Sequence, residues 1–334
     1  MGNPMRVLYL LWNYPQISET YIATEIAFAQ RCGVEVHVWS QTNYHPDLAP
    51  QCMVHRGSLA ETIAAVGPDL VHIHYLVVAK RHLHEIPPGI PVTIRGHSFD
   101  WNPSLARELG EQASVKRLYL FPHFVAAMGG HAKAFPLPVA YDPQLHPPAV
   151  CKDRKLVVRL AAGLPTKGLE DVLAVANRCP EFRFILGISR AGGGDEFLDQ
   201  LNRLNGYVKD RVQILIDLHP QVASDINRRA GIYLDTHDPK GHAFGMPISI
   251  VEAMATGSYV LALDVPAARS YISEAGAFYK NPEEAAKLIQ ETASWNDSNW
   301  NLISETAMQR ASCFRDDVIL SHLVQDWRSI VGQA

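Results

Sequence analysis

Several things are scarce or missing in this chain of 334 residues, and each narrows what it can be. Its five cysteines (Cys32, Cys52, Cys151, Cys179 and Cys313) are scattered, with neither the pairing of a disulfide framework nor the close spacing of a metal site. They read as reduced thiols of a cytoplasmic protein. No apolar run approaches ~18 residues, so no membrane span is expected. The apolar stretch in MGNPMRVLYLLW is short and lacks a small-residue cleavage site, so it reads as a first strand rather than a signal peptide. No basic amphipathic helix stands out, which argues against firm membrane attachment. Positive charge is not in excess. Lys and Arg number 30 against 34 Asp and Glu, and the formal net charge of -4 disfavours general nucleic-acid binding. There is no low-complexity segment and no fixed-period repeat.

What remains is ample core material. The chain is 47% hydrophobic and 19% charged, and its length favours two domains of ordinary size. Residues 6–11 form a short apolar run of the kind buried in a parallel strand. A polar loop follows, then SETYIATEIAFAQRCG, in which Ser18 is a candidate N-cap, Ile22, Ile26 and Ala29 share a face, and Gly33 is the stop. Residues 34–40 form the next strand. Strand, loop, helix and strand in that order imply a parallel sheet, whose ligands bind at the carboxyl ends of the strands. That places residues 14–20, with Ser18 and Glu19, at a candidate site. The pattern continues through strands at 69–75 and 91–95. His72 and His74 point to one face of the first of these. A metal would need a third ligand, and none is evident nearby in sequence. The second runs into Gly96-His97-Ser98-Phe99-Asp100, which puts His97 just past a strand end. It is either a cleft residue or a loop histidine bonded to local backbone. PLPVAYDPQLHPP reads as an extended connector, with a domain boundary near residues 141–152.

The second half repeats the pattern. Strands are expected at 155–162, 182–188, 212–216, 232–234 and 260–262, and helices at 169–179, 197–204 and 222–230. Lys167 lies in the turn after the first strand, where a point charge suits a phosphate and a solvated turn lysine is the alternative. Gly192, Gly193 and Gly194 match no phosphate-loop or dinucleotide fingerprint. The stretch GHAFGMPISIVEAMATG, residues 241–257, reads as loop, helix and stop, with Pro247 in the first turn and Gly257 as C-terminal cap. Its helix N-terminus would attract an anion. Glu252 falls four residues after Ile248, on the same apolar face, and a carboxylate there needs a partner. A ligand hydroxyl would serve, as would a turn of the side chain toward the rim.

With both halves read, the chain resembles retaining glycosyltransferases of the two-Rossmann-domain type, family four, which use nucleotide-sugar donors. YPQISETYIATEI, HIHY and RGHSFD are similar to the exopolysaccharide-type branch. LPTKGLEDVLAVA, GGGDEFLDQL and PISIVEAMATG follow the family's order in the second half. The resemblance implies an α/β protein of GT-B fold, two doubly wound domains facing a central cleft. Residues 1–145 would form the acceptor side and 150–315 the donor side, with 316–334 a helix that crosses back to the first domain. It also implies roles. Glu252 would bind the donor ribose, Lys167 the diphosphate, and Gly245, Met246, Pro247 and Ile248 would offer amides to phosphate and sugar. His97 would lie near the donor sugar. Ala162, Gly163, Arg190 and Leu218 fall along the nucleotide region. Ser18, Glu19 and Asp100 belong to the first-domain loops. The co-substrate implied is a nucleotide sugar, a UDP-sugar ahead of a GDP-sugar, with no tightly bound cofactor and no metal. The acceptor is a glycan, glycolipid or small molecule. The compartment is the cytoplasm, including the inner face of its membrane.

Two departures from the pattern matter. The family's first motif Glu falls on Phe244, and its phosphate-binding Arg on Ala162. Arg159 is close in sequence, but an offset of three along a strand reverses its facing. His242, with His237 and Asp238 near it, is a candidate to take over sugar contacts. Asp235, His237, Asp238 and His242 do not have the spacing of a common metal site. The departures keep a non-catalytic sugar-nucleotide or glycan-binding protein in contention. A sugar-nucleotide epimerase would want more acid and base groups, and a DNA-glucosylating enzyme is disfavoured by the net charge.

Overall fold

The computed structural model describes residues 4–43, 45, 47–149, 151–190, 195–238 and 245–332. The chain divides into two compact units, one running to Ala140 and taking up the chain again from Asp316, the other spanning Tyr141–Arg315. Unit 1 contains β1 (Arg6–Asn13), α1 (Thr20–Arg31), β2 (Glu35–Thr42), β3 (Met53–His55), α2 (Leu59–Val66), β4 (Leu70–His74), α3 (Leu76–His82), β5 (Val92–Arg95), α4 (Pro103–Glu111), β6 (Val115–Leu120), α5 (Pro122–Ala127) and β7 (Ala134–Pro136). Unit 2 contains β8 (Asp153–Ala162), α6 (Leu169–Arg178), β9 (Arg183–Ser189), α7 (Asp195–Tyr207), β10 (Val212–Ile216), α8 (Pro220–Arg229), β11 (Ala230–Asp235), α9 (Ile248–Ala255), β12 (Tyr259–Leu263), α10 (Pro266–Ile272), β13 (Gly276–Tyr279), α11 (Pro282–Glu291) and α12 (Asp297–Ser312). Helix α13 (Asp316–Ile330) returns to unit 1.

Both sheets are parallel throughout. Their strand orders are β3-β2-β1-β4-β5-β6-β7 and β10-β9-β8-β11-β12-β13. Each order reverses direction next to the unit's first strand, between β1 and β4 and between β8 and β11. In open sheets of this kind, ligands settle outside the carboxyl ends of the strands at that reversal. The sequence dictates the arrangement. Val7, Leu8, Tyr9, Leu10 and Leu11 are all sealed, because a central strand covered on both faces has no wet side on which polar residues could alternate. β4 is equally sealed although it carries His72 and His74, so both imidazoles need internal partners. In unit 2 the core joins Val172, Leu173 and Ala176 of α6 to Leu186 and Ile188 of β9 and Ile232 and Leu234 of β11.

Two helix starts differ from expectation. α1 begins at Thr20, with Glu19 in the cap position and no side-chain cap bond, so Ser18 is not its N-cap. Glu19 is instead bonded to the Tyr75 hydroxyl, and this tertiary contact fixes the loop. Pro247 is the cap residue of α9 rather than its first helical residue. Gly257 closes α9 as expected, at φ 83°. The chain also holds elements that the hydrophobic pattern does not mark, among them α3, α4, α10, β13, α11 and α12. Among the described residues no helix is long and apolar enough to cross a membrane.

Helix α13 packs along α1. Arg31 pairs with Asp316, Arg117 with Asp326 at 3.0 Å, and the Tyr119 hydroxyl donates to Asp326 at 2.6 Å. Trp327, wholly buried, stands 5.9 Å from the Tyr9 ring and 5.0 Å from the His72 ring. Trp327→Ala is therefore expected to cost unit 1 about 3–5 kcal/mol, the usual penalty for emptying an aromatic site, in denaturant unfolding followed by intrinsic fluorescence.

Candidate functional site

In unit 2 the carboxyl ends of β8, β9 and β11 converge. The Gly163 amide donates to the Ser189 carbonyl at 2.8 Å, and a side chain on Gly163 would press against Ile188, so Ala162 and Gly163 lie close against β9. The next turn is braced by β11's continuation. The Asp238 amide donates to the Thr166 carbonyl at 3.0 Å, and the Thr236 hydroxyl donates to the Lys167 carbonyl at 2.8 Å. Gly168 sits at φ 58°, and a Cβ there would come within 3.2 Å of the His237 backbone. The turn carrying Lys167 is thus fixed by backbone contacts, leaving its side chain for other work.

Two cations lie at this edge. Arg159 is buried and reaches the Asp235 carboxylate at 2.8 Å, the Thr236 carbonyl at 2.8 Å and the Tyr233 hydroxyl at 2.9 Å. It is fully engaged, so it does not replace the arginine missing at Ala162. Asp235 thereby answers one cation, and Lys167 is a second. Its ammonium has no hydrogen-bond or ion-pair partner among the described residues. Burial, and next the Arg159 guanidinium, push its pKa down, with Asp235 opposing. Ser189 adds a buried hydroxyl that bonds to nothing among the described residues. Among the described residues the edge therefore offers an ammonium and a hydroxyl that are not hydrogen-bonded.

Elsewhere in unit 2 the predicted residues divide. Arg190 pairs with Asp217 at 2.6 Å and also takes its carboxylate on the backbone amide at 2.8 Å. Leu218 packs near Gly187 at the same strand ends. Gly245 and Met246 are buried, Pro247 and Ile248 half-buried, and the Pro247 carbonyl accepts from the Tyr271 hydroxyl at 3.1 Å. Glu252 is buried on α9 and lies 3.2 Å from the His146 ring. The partner its burial demands includes a protein group that the sequence reading did not consider. His242 and Phe244 lie outside the described residues.

Unit 1 builds a different kind of site around β4 and β5. Glu25, on the buried face of α1, lies 3.1 Å from His72 Nε2 and 3.2 Å from His74 Nε2, and its other oxygen pairs with Arg95. Burial pushes the Glu25 carboxyl up, but Arg95 and the imidazoles outweigh it and hold it well below the usual range. Glu25 is the third group missing from the two-histidine reading. These three side chains could enclose a cation, their ligand atoms lying within 4.8 Å of one another, but Arg95 already answers the carboxylate. His97 stacks on His74 at 5.2 Å and is flanked by Tyr75 at 4.5 Å and Tyr21 at 5.2 Å. Asp100 holds the loop, accepting the His97 amide at 3.0 Å and the Val77 amide at 3.3 Å. Burial raises its pKa to about 6 against those bonds. Tyr75, Tyr21, Glu25 and Arg95 went unread in the sequence because their partners lie on other elements.

With this geometry in view, solved structures give the fold. Sucrose-phosphate synthase from Thermosynechococcus elongatus superposes with a TM-score of 0.77 at 16% identity, over 98% of this chain and 100% of that one. Anabaena Alr3699/HepE in complex with UDP and glucose gives 0.76 at 16% identity, over 97% and 100%. AviGT4, a glycosyltransferase involved in avilamycin A biosynthesis, gives 0.68 at 17% identity, over 99% of each chain. The fold is GT-B. No family model and no curated protein matches the chain by sequence.

Glu19 gives the unit 1 site a measurable signature. Burial raises its carboxyl to about 7, the Tyr75 bond opposing. The unfolded chain ionises near pH 4.5 and the folded chain only near 7, so the folded state holds the extra proton in that window and loses stability as pH rises through it. Glu19→Gln removes the effect. The variant is expected to match the wild type near pH 4.5 and to exceed it by up to about 2 kcal/mol at pH 8, read as Tm against pH.

Proposed function

We propose that this chain is a glycosyltransferase that moves a sugar from a nucleotide-sugar donor, a UDP-sugar ahead of a GDP-sugar, to an acceptor hydroxyl with retention of anomeric configuration. The observation that carries the proposal is the unanswered Lys167 ammonium at the strand reversal of unit 2, beside the engaged Arg159–Asp235 pair. A diphosphate there supplies the missing negative charge. Cleaving the donor builds further charge on its β-phosphate. Lys167 and the amino end of α9 then bind the leaving group more tightly in the transition state than in the ground state. The Anabaena protein's complexes with UDP, glucose and UDP-glucose support the choice of donor.

In this reading unit 2 holds the nucleotide and unit 1 serves the acceptor, a glycan, glycolipid or small molecule. His97 meets the donor sugar, and Glu252 turns from His146 to the ribose hydroxyls. The retaining outcome and the metal-free chemistry come from the sequence resemblance, and no side chain is assigned as a nucleophile. One second reading has its own observation. Glu252 already has a protein partner and Ala162 replaces a phosphate arginine, which favours a protein that binds sugar nucleotides without turning them over.

UDP is expected to raise the Tm, and Lys167→Ala to weaken UDP binding about 10–100-fold by calorimetry while leaving the unliganded Tm nearly unchanged. If none of UDP, GDP, ADP and dTDP moves the Tm, the donor site is wrong. A sugar-nucleotide hydrolysis screen separates the two readings, since a binding protein shifts in Tm but releases no sugar.

A further inference from the structure

Unit 1 fixes more about His97 than its position. Arg95 pairs with one oxygen of Glu25, so that carboxylate is ionised and can only accept. His74 Nε2, 3.2 Å from its other oxygen, must donate. A neutral imidazole carries one N–H, so His74 Nδ1 is left as an acceptor. That nitrogen lies 3.1 Å from His97 Nε2, which must then be the N–H that donates. By the same rule His97 Nδ1 carries a lone pair. It makes no hydrogen bond among the described residues and is not sealed from solvent, while the ring as a whole is only 5% exposed.

We propose that Glu25 and His74 are positioning residues that lock His97 in its Nε2–H tautomer, presenting Nδ1 as a bare acceptor for a hydroxyl of the bound substrate. Burial and the bond pattern keep the imidazoles neutral. Glu19 and Asp100 are held by the Tyr75 hydroxyl and by backbone amides, and neither makes a hydrogen bond to the ring of His74 or His97. Protonating His74 or His97 would desolvate a further charge and remove an acceptor nitrogen from the chain of bonds. Burial accordingly holds His74 down to about 4, and burial with His74 and Arg95 beside it holds His97 well below the ordinary value. His72 is held beside them, its Nε2 3.1 Å from Glu25 and its Nδ1 sharing a hydrogen bond with the Thr93 hydroxyl at 2.7 Å.

The consequence is selective. An acceptor nitrogen welcomes a sugar hydroxyl, which has a proton to give, and repels a carboxylate or phosphate, which has none. Resting on the donor reading above, His97 then discriminates for a neutral sugar over a uronic acid at that contact.

Long-range nitrogen–proton NMR of the full chain with labelled histidine tests the lock without any substrate. The expected result is an unprotonated Nδ1 and a protonated Nε2 for His97, unchanged from pH 6 to 8. A Nδ1–H tautomer, a titration near pH 6.5, or one equivalent of zinc or iron bound between His72 and His74 overturns it. His74→Asn, whose amide oxygen takes the place of Nδ1, should keep the tautomer. His74→Leu should give a mixture of both and lower kcat/KM about tenfold with the best donor, kcat moving more than KM. Equal tautomer populations in the two variants overturn the role of His74. If UDP-glucose binds by calorimetry yet leaves the His97 Nδ1 resonance unmoved, the hydroxyl contact is wrong and the donor site stands. If no nucleotide binds at all, the donor reading fails and the tautomer result is unaffected by it.

Discussion

Each unit is organised around a buried ion pair at the carboxyl ends of its central strands. In unit 1 it joins Arg95 at the end of β5 to Glu25 on α1, and in unit 2 it joins Arg159 within β8 to Asp235 at the end of β11. Pairs of this kind contribute little net stability, because desolvation consumes most of the attraction, but losing one partner strands a charge in the core. Their value lies in what they hold still. Glu25 orders two imidazoles and, through His74, a third. Asp235 pairs with Arg159, and Lys167 makes no ion pair among the described residues. Packed apolar strands position the groups, and the pairs decide their charge states.

The two units end with opposite electrostatic characters. At the unit 1 site Arg95 and Glu25 pair, burial lowers the pKa values of His72, His74 and His97, and tyrosine hydroxyls line the cluster. At the unit 2 site a lysine ammonium lies near the Arg159–Asp235 pair without a hydrogen bond or ion pair among the described residues. The first suits uncharged polyols and the second an anion.

How much of this was legible in the sequence depended on the range of the interaction. β1, β2, β4 and β8 to β12 were readable, because a sheet covered on both faces demands unbroken apolar runs. The stop of α9 at Gly257 was readable, because a left-handed cap is a local demand. The start of α1 was not, since Glu19 answers to Tyr75, 56 residues away. His72 and His74 could be read as sharing a face, but Glu25 lies on a helix 49 residues before His74, and nothing in HIHY announces it. An offset of three residues along the strand speaks against Arg159 as a substitute for the missing arginine, and the structure adds its bond to Asp235, which the sequence does not reveal. Short helices such as α3 and α10 were passed over because seven residues carry too little periodicity to register.

The return of α13 to unit 1 has a consequence for how the protein comes to exist. Unit 1 is discontinuous in the chain, while unit 2 is one uninterrupted segment, Tyr141–Arg315, of 175 residues counted inclusively. Trp327 closes over Tyr9 and His72, which emerge from the ribosome far earlier. At roughly 5–20 residues per second, about 9–35 s of synthesis separate the exit of the first part from the helix that seals it. During that interval the rings of Tyr9 and His72 lack their lid, and unit 2 can complete its fold first. His72 is therefore covered by its aromatic neighbour only once α13 has been made.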